Sequence, residues 1–248
     1  MRSRLSGLPI GSIVLFHACA HNPTGCDPSA TQWAELARIV ADRRLLPLID
    51  AAYQGLASGD FDADAAGVRE LARIPGIEML LVQSFSKNMG LYSERAGTFS
   101  IMCRDASVSA RLHQRLGGLI RLIYSSPPRH GAAIAASVLG DTTLRLRWTH
   151  EVSQLAARLR EMRLALHAAL EEVECPPVAS GQQGWEHLVE QQGMFTVTGL
   201  SRAQIGYLRE KHHIYMPEDG RLCVAGLNSD KCAVVAAAIK EAILMVSS

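Results

Sequence analysis

Short apolar runs that alternate with helical patterns constrain this chain more than any other feature. Residues 12–17, 45–50, 77–83 and 97–103 are strand-length and largely apolar, the pattern of strands buried on both faces of an α/β sheet. Between the first two runs, Asp27-Pro28 reads as an N-cap followed by proline at the first helical position. Trp33, Leu36, Ala37 and Val40 then repeat at helical spacing. Strand, helix, strand makes a crossover, and a crossover makes the pairing parallel.

From about Gly131 the pattern turns helical. Trp148, Val152, Leu155, Leu159, Met162 and Leu166 form one stripe of a long helix, with a break near Gly140-Asp141. Helices of this length often bridge two domains. A strand over 194–198, a helix opened by the capping-box pair Ser201 and Gln204, a strand pair over 214–216 and 222–225, and a helix from about Asp230 complete a small α+β region. Residues 1–140 therefore read as one domain and 141–248 as the long helix plus a second.

Composition narrows the function classes. Nearly half of the 248 residues (48%) are apolar and the formal net charge is +1, so the chain can bury a core but offers no concentrated positive face for nucleic acid or an acidic membrane. A small molecule is the expected ligand. Six cysteines lie scattered without a CxxC pair, which reads as reduced core thiols in a cytosolic protein. The start has no charged segment followed by an apolar stretch, and no run spans a bilayer, so neither export nor membrane insertion is expected.

Three of the apolar runs end in unusual polar clusters: His21-Asn22-Pro23-Thr24-Gly25, Asp50-Ala51-Ala52-Tyr53-Gln54-Gly55 and Ser84-Phe85-Ser86-Lys87-Asn88. In doubly wound sheets, ligands bind just outside the carboxyl ends of the strands, so these clusters should converge. Singly, each has a plain reading. Asp50 serves equally as a helix cap, and Lys87 as a solvated lysine or as a nucleophile beside an anion nest at Ser84 and Ser86. A nucleotide site needs a glycine-rich phosphate loop, and neither GxxxxGK[ST] nor GxGxxG occurs. His17 and His21 lack a third ligand, so no metal is expected. His212 and His213 read as partners of the last carbonyls of their helix.

Together the blocks resemble the class I pyridoxal-phosphate (PLP) aminotransferases: HNPTG at 21–25, LIDAAYQG at 48–55, SFSKNMGLYSERAG at 84–97 and RLCVAGL at 221–227, in that order. Tyr124-Ser125-Ser126-Pro127-Pro128 and Gly193-Met194-Phe195 extend the likeness. Ser126 and the CVAGLN form are most similar to the bacterial aromatic-amino-acid (tyrosine) branch. The resemblance implies PLP-dependent transferase fold type I, with part of the large domain followed by a small α+β domain.

It also implies roles. Lys87 would hold pyridoxal 5'-phosphate as a Schiff base and then act as general base. Asp50 would pair with the pyridinium nitrogen, with His17 behind it, and Asn22 and Tyr53 would hydrogen-bond the phenolic oxygen. Ser84, Ser86 and Arg95 would hold the phosphate, and Arg221 would clamp the substrate carboxylate, with Phe195 beside the substrate. Arg121 would reach a neighbouring subunit's site and bind a dicarboxylic side chain, which implies a homodimer. The implied reaction is ping-pong transfer of nitrogen from an aromatic or dicarboxylic amino acid to a 2-oxo acid such as 2-oxoglutarate.

Two departures bear on this expectation. The likeness covers roughly the last three-fifths of the family's length. It leaves out an N-terminal arm, early strands and helices of the large domain, a Ser-Gly-Thr phosphate loop, an aromatic residue on the cofactor ring and a tyrosine lent to the partner. A catalytically inactive remnant is therefore the alternative. Glu218 and Asp219 also precede Arg221 where relatives carry small or apolar residues, and both are expected to face water.

Overall fold

The computed structural model describes residues 1–178 and 184–246 and divides the chain into two compact units. The first comprises residues 1–19, 28–55 and 60–153; the second comprises 20–27, 56–59 and 154–248.

The first unit holds α1 (Arg2–Ser6), β1 (Ile13–His17), α2 (Ala30–Asp42), β2 (Leu46–Ala51), α3 (Phe61–Asp64), α4 (Ala66–Ala72), β3 (Met79–Ser84), β4 (Gly97–Met102), α5 (Ala106–Ile123) and α6 (His130–Gly140). The strands lie in the order β1-β2-β3-β4. The first three are parallel, as the crossover requires, whereas β4 runs antiparallel to β3. Register sets His17 opposite Asp50, and Asp50 opposite Val82, so the chemical ends of three strands share one edge of the sheet.

Period-2 alternation decides which face is core. Phe16, Ile49, Ala51 and Met79 point to one face, where they pack with Trp33, Leu36, Ala37 and Val40 of α2 and Leu71 of α4. The opposite face is open: Ile13, Leu15, Val82 and Phe99 are 42–64% exposed. The expectation of strands buried on both faces is thus corrected: among the described residues, the buried cluster built with α2 and α4 lies on one face of the sheet. The faces should differ sharply in mutational cost. Ile49→Ala, at a fully buried site, should lower stability by about 2–5 kcal/mol. Leu15→Ala should change it by about 0.5 kcal/mol or less. Urea unfolding of the full chain measures both.

The start of α2 also differs from the expectation. Ser29, not Asp27, is the N-cap: Ser29 Oγ accepts from Gln32 N, and Gln32 Oε1 accepts from Ser29 N. This reciprocal pair satisfies two free donors, and the carboxylate of Asp27 is engaged elsewhere.

The long helix α7 (Thr142–Glu172) follows a break at Asp141, near the expected place, and belongs to the first unit up to Ser153. Val152, Leu159, Met162 and Leu166 are buried, but Leu155 is exposed and Ala156 takes the inward position. The second unit adds α8 (His187–Glu190), β5 (Phe195–Val197), α9 (Arg202–His212), β6 (Arg221–Cys223) and α10 (Ser229–Met245). β5 and β6 pair antiparallel. The expected strand at 214–216 does not form, and the pairing partner of β6 is β5.

The capping box of Ser201 and Gln204 opens α9 as expected. His213 ends that helix in the left-handed conformation, while His212 turns to Glu241 at 3.2 Å rather than to the helix carbonyls. All six cysteines are free thiols; Cys19, Cys175 and Cys232 are buried, whereas Cys26 and Cys223 are exposed and so are not core. No helix among the described residues is long and apolar enough to cross a membrane.

Candidate active site

In the first unit the polar ends of β2 and β3 turn towards each other through a short set of hydrogen bonds. Asp50 Oδ1 accepts from Ala52 N at 2.9 Å, an Asx turn that bends the chain after the strand and delivers Tyr53. Tyr53 is buried, and the amine of Lys87 stands 4.7 Å from its ring centroid, within cation–π range.

The peptide after Lys87 is fixed from two sides. Asn88 Nδ2 donates to the carbonyl of Gln54 at 3.1 Å, and the Trp148 indole donates to the carbonyl of Asn88 at 2.7 Å. Gln83 Nε2 donates to Gln54 Oε1 at 3.0 Å, tying the two strand ends together. Asn88 and Trp148 therefore hold the backbone from which the Lys87 side chain projects, a role that motif reading did not assign.

Ser84 Oγ accepts from the backbone N–H of Ser86 at 3.2 Å, and Ser86 is buried. Arg95 lies nearby in sequence, after an exposed turn, with left-handed backbone (φ +52°) and a guanidinium donating to the Tyr92 carbonyl at 3.1 Å. Arg121 is not in this cluster. It sits in the last turn of α5, a helix with no buried residue.

A second cluster forms in the second unit around Arg221. Its guanidinium donates to Asn22 Oδ1 at 3.2 Å and lies 4.8 Å from the centroid of the Phe195 ring. Antiparallel register explains the stacking: Arg221 and Cys223 on β6 face Val197 and Phe195 on β5. Asn22 belongs to a loop closed by Asp27, whose two carboxylate oxygens accept from Ala20 N at 2.6 Å and His21 N at 2.9 Å. The same loop contains a cis Asn22–Pro23 peptide.

The two acids before Arg221 leave its guanidinium alone. Asp219 Oδ1 accepts from the backbone N–H of Arg221 at 3.0 Å, Glu218 lies 3.4 Å from Arg202 Nε, and both acids are exposed. A planar fork flanked by an amide oxygen and an aromatic face suits a carboxylate better than a point charge would.

The family model described as "Aminotransferase class I and II" matches residues 1–239. The chain is similar to the cytoplasmic aspartate aminotransferase of Oryza sativa subsp. japonica, 45% identical over 239 residues, covering 96% of this chain and 57% of that protein. Among solved structures it resembles the broad-specificity aminotransferase from Leishmania mexicana, with TM-score 0.92, 43% identity, and coverage of 98% of this chain and 58% of that one. It also resembles an aromatic-amino-acid aminotransferase from Burkholderia pseudomallei covalently bound to pyridoxal phosphate, with TM-score 0.91, 40% identity, and coverage of 98% and 59%. The chain thus spans a little over half the length of the relatives it matches. With the motif blocks, the sheet and the extent of these matches all in agreement, this chain belongs to the class I PLP-dependent aminotransferases of the aspartate/aromatic family.

Proposed function

We propose that the chain carries the cofactor-holding and carboxylate-binding residues of a transaminase that moves nitrogen between an L-amino acid and a 2-oxo acid. The observation that carries this reading is the Lys87 amine at 4.7 Å from the Tyr53 ring, beyond the strand ends that bear Asp50 and Ser84. The donor set fits PLP: an amine for an aldehyde, a carboxylate for a ring nitrogen, a phenol for a phenolic oxygen, and hydroxyl, N–H and guanidinium groups for a phosphate. When bound, the cofactor supplies an electron sink for the carbon that loses its proton.

The chain's own residues do the rest. Lys87 Nζ would take the proton from the substrate α-carbon and deliver it to C4′, the cofactor carbon that receives the nitrogen, as a positioned general base and then acid. Asp50 keeps the ring nitrogen protonated, with His17 beside it on the neighbouring strand. Tyr53 and Asn22 donate to the phenolic oxygen, Ser84, Ser86 and Arg95 bind phosphate, and Arg221 binds the α-carboxylate with Phe195 alongside. We read residues 1–140 as part of the large cofactor-holding domain and residues 141–248 as the long helix with the small C-terminal domain.

Arg121 acts in a second copy of the chain. Support comes from α5, where Leu122 and Ile123 next to Arg121 are 84% and 75% exposed, an apolar surface suited to a homodimer. The scattered thiols favour the cytosol, although similar proteins include cytoplasmic, mitochondrial and chloroplastic forms.

For the amino donor we favour an aromatic amino acid, on the basis of Ser126 and the CVAGLN segment. Aspartate is the second reading, favoured by the aspartate aminotransferases among the relatives. Initial rates with tyrosine, phenylalanine and aspartate against 2-oxoglutarate decide between them. The aromatic donors should give the higher kcat/KM by roughly tenfold, about 1.4 kcal/mol of differential transition-state binding. A preference for aspartate overturns the aromatic assignment, and no turnover with any donor favours the inactive remnant.

A further inference from the structure

Arg163 is the most deeply buried cation of the second unit, 2% exposed on the same arc of α7 as Leu159, Met162 and Leu166. Among the described residues no carboxylate pairs with it. Its guanidinium instead donates five hydrogen bonds of 2.6–3.3 Å to the carbonyls of Leu188, Gln192, Gly193 and Phe195. Burial lowers its pKa to about 10, which leaves it charged at neutral pH. A buried charge neutralised only by peptide dipoles is an expensive way to fill a core.

The segment it holds leads to both supports of Arg221. Phe195, whose carbonyl Arg163 binds, stacks against the Arg221 guanidinium. Gln192, bound through its carbonyl, donates its N–H to the Gly25 carbonyl at 2.9 Å, and Gly25 N donates to the His21 carbonyl at 2.6 Å. That loop carries Asn22, the other partner of Arg221. The two segments meet backbone to backbone: a Cβ on Gly25 would lie 2.6 Å from the Gln192 carbonyl oxygen, and one on Gly193 would lie 2.4 Å from the Ala20 Cβ. Both glycines have positive φ, so a side chain there would be strained as well as crowded.

We infer that Arg163 is a positioning residue for the carboxylate clamp, holding segments 191–195 and 20–27 so that Phe195 and Asn22 fix the Arg221 guanidinium. This rests on reading Arg221 as the carboxylate ligand. Its test is readable whether or not the chain turns over.

Hydrogen exchange of the full chain, compared with Arg163→Met and Arg163→Lys, makes the test. In the Met variant, amides of 20–27 and 191–197 should exchange faster by roughly tenfold or more, the effect of losing a charge-assisted hydrogen bond, while α9 and α10 stay within about twofold. Lysine, keeping charge and some donors, should recover part of the protection. In turnover, the Met variant should raise KM for the amino donor by roughly tenfold with kcat within about threefold, the pattern of lost uniform binding. Acceleration spread evenly over α9 and α10, failure of both variants to fold, unchanged exchange, or an effect on kcat alone would assign Arg163 to the core and overturn the proposal.

Discussion

Replacing Lys87 by alanine should lower transamination by about 10²–10⁴-fold, the range supplied by a positioned general base. The loss should be chemical rather than structural. Lys87 is only half-buried, and the backbone around it is held by Asn88, Gln54 and Trp148 through bonds that do not involve its side chain. Unfolding curves of the variant should therefore overlie those of the wild type while the rate falls. A variant that keeps its rate, or loses rate and stability together, removes the proposed role.

Arg221→Ala should lower kcat/KM for every amino donor by roughly 30- to 5000-fold. This corresponds to the about 2–5 kcal/mol lost when one partner of a hydrogen-bonded charge pair is truncated. Arg221→Lys should recover little of it, because an ammonium cannot reproduce the two parallel bonds of a guanidinium fork. Asn22 Oδ1 and the Phe195 ring hold the fork in orientation in advance, so its contribution should not vary with the donor's side chain. Steady-state kinetics with one aromatic and one dicarboxylic donor measures this. An effect confined to dicarboxylic donors would reassign Arg221 to the side-chain carboxylate.

Strand positions and their polar ends were legible in the sequence because an apolar run that stops at Asp50 or Ser84 marks both the strand and the edge of the sheet. Openness of the sheet was not. Leu15 and Val82 look as core-forming as Phe16 and Ile49, and periodicity does not reveal whether a covering layer exists for each face. The direction of β4 was hidden for a similar reason: the 84–97 segment returns the chain beside β3, and nothing in the apolar pattern distinguishes that from a crossover. Asp27 was misread because a carboxylate before proline caps a helix as readily as it closes a loop, and here it takes the N–H groups of Ala20 and His21.

In the site, the motif blocks pointed to Lys87, Asp50, Tyr53 and Arg221 but not to what holds them. Asn88 lies within the 84–97 motif with no role implied by the resemblance, and in the sequence Trp148 is one member of an apolar helical stripe. Arg163 left the clearest signal, a lone cation on the arc of Leu159, Met162 and Leu166. Such a residue, placed where side chains are buried, must find acceptors inside the protein, and backbone carbonyls of a neighbouring loop are the ones available.

The chain has four lysines, Lys87, Lys211, Lys231 and Lys240, which makes the central claim open to a single chemical readout. After incubation with PLP, borohydride reduction and peptide mapping, the phosphopyridoxyl label should lie on Lys87 in near-stoichiometric yield, with the other three carrying little. Label divided among the four, or concentrated on a lysine of the second unit, would mean that the amine beside Tyr53 is not the one that holds the cofactor.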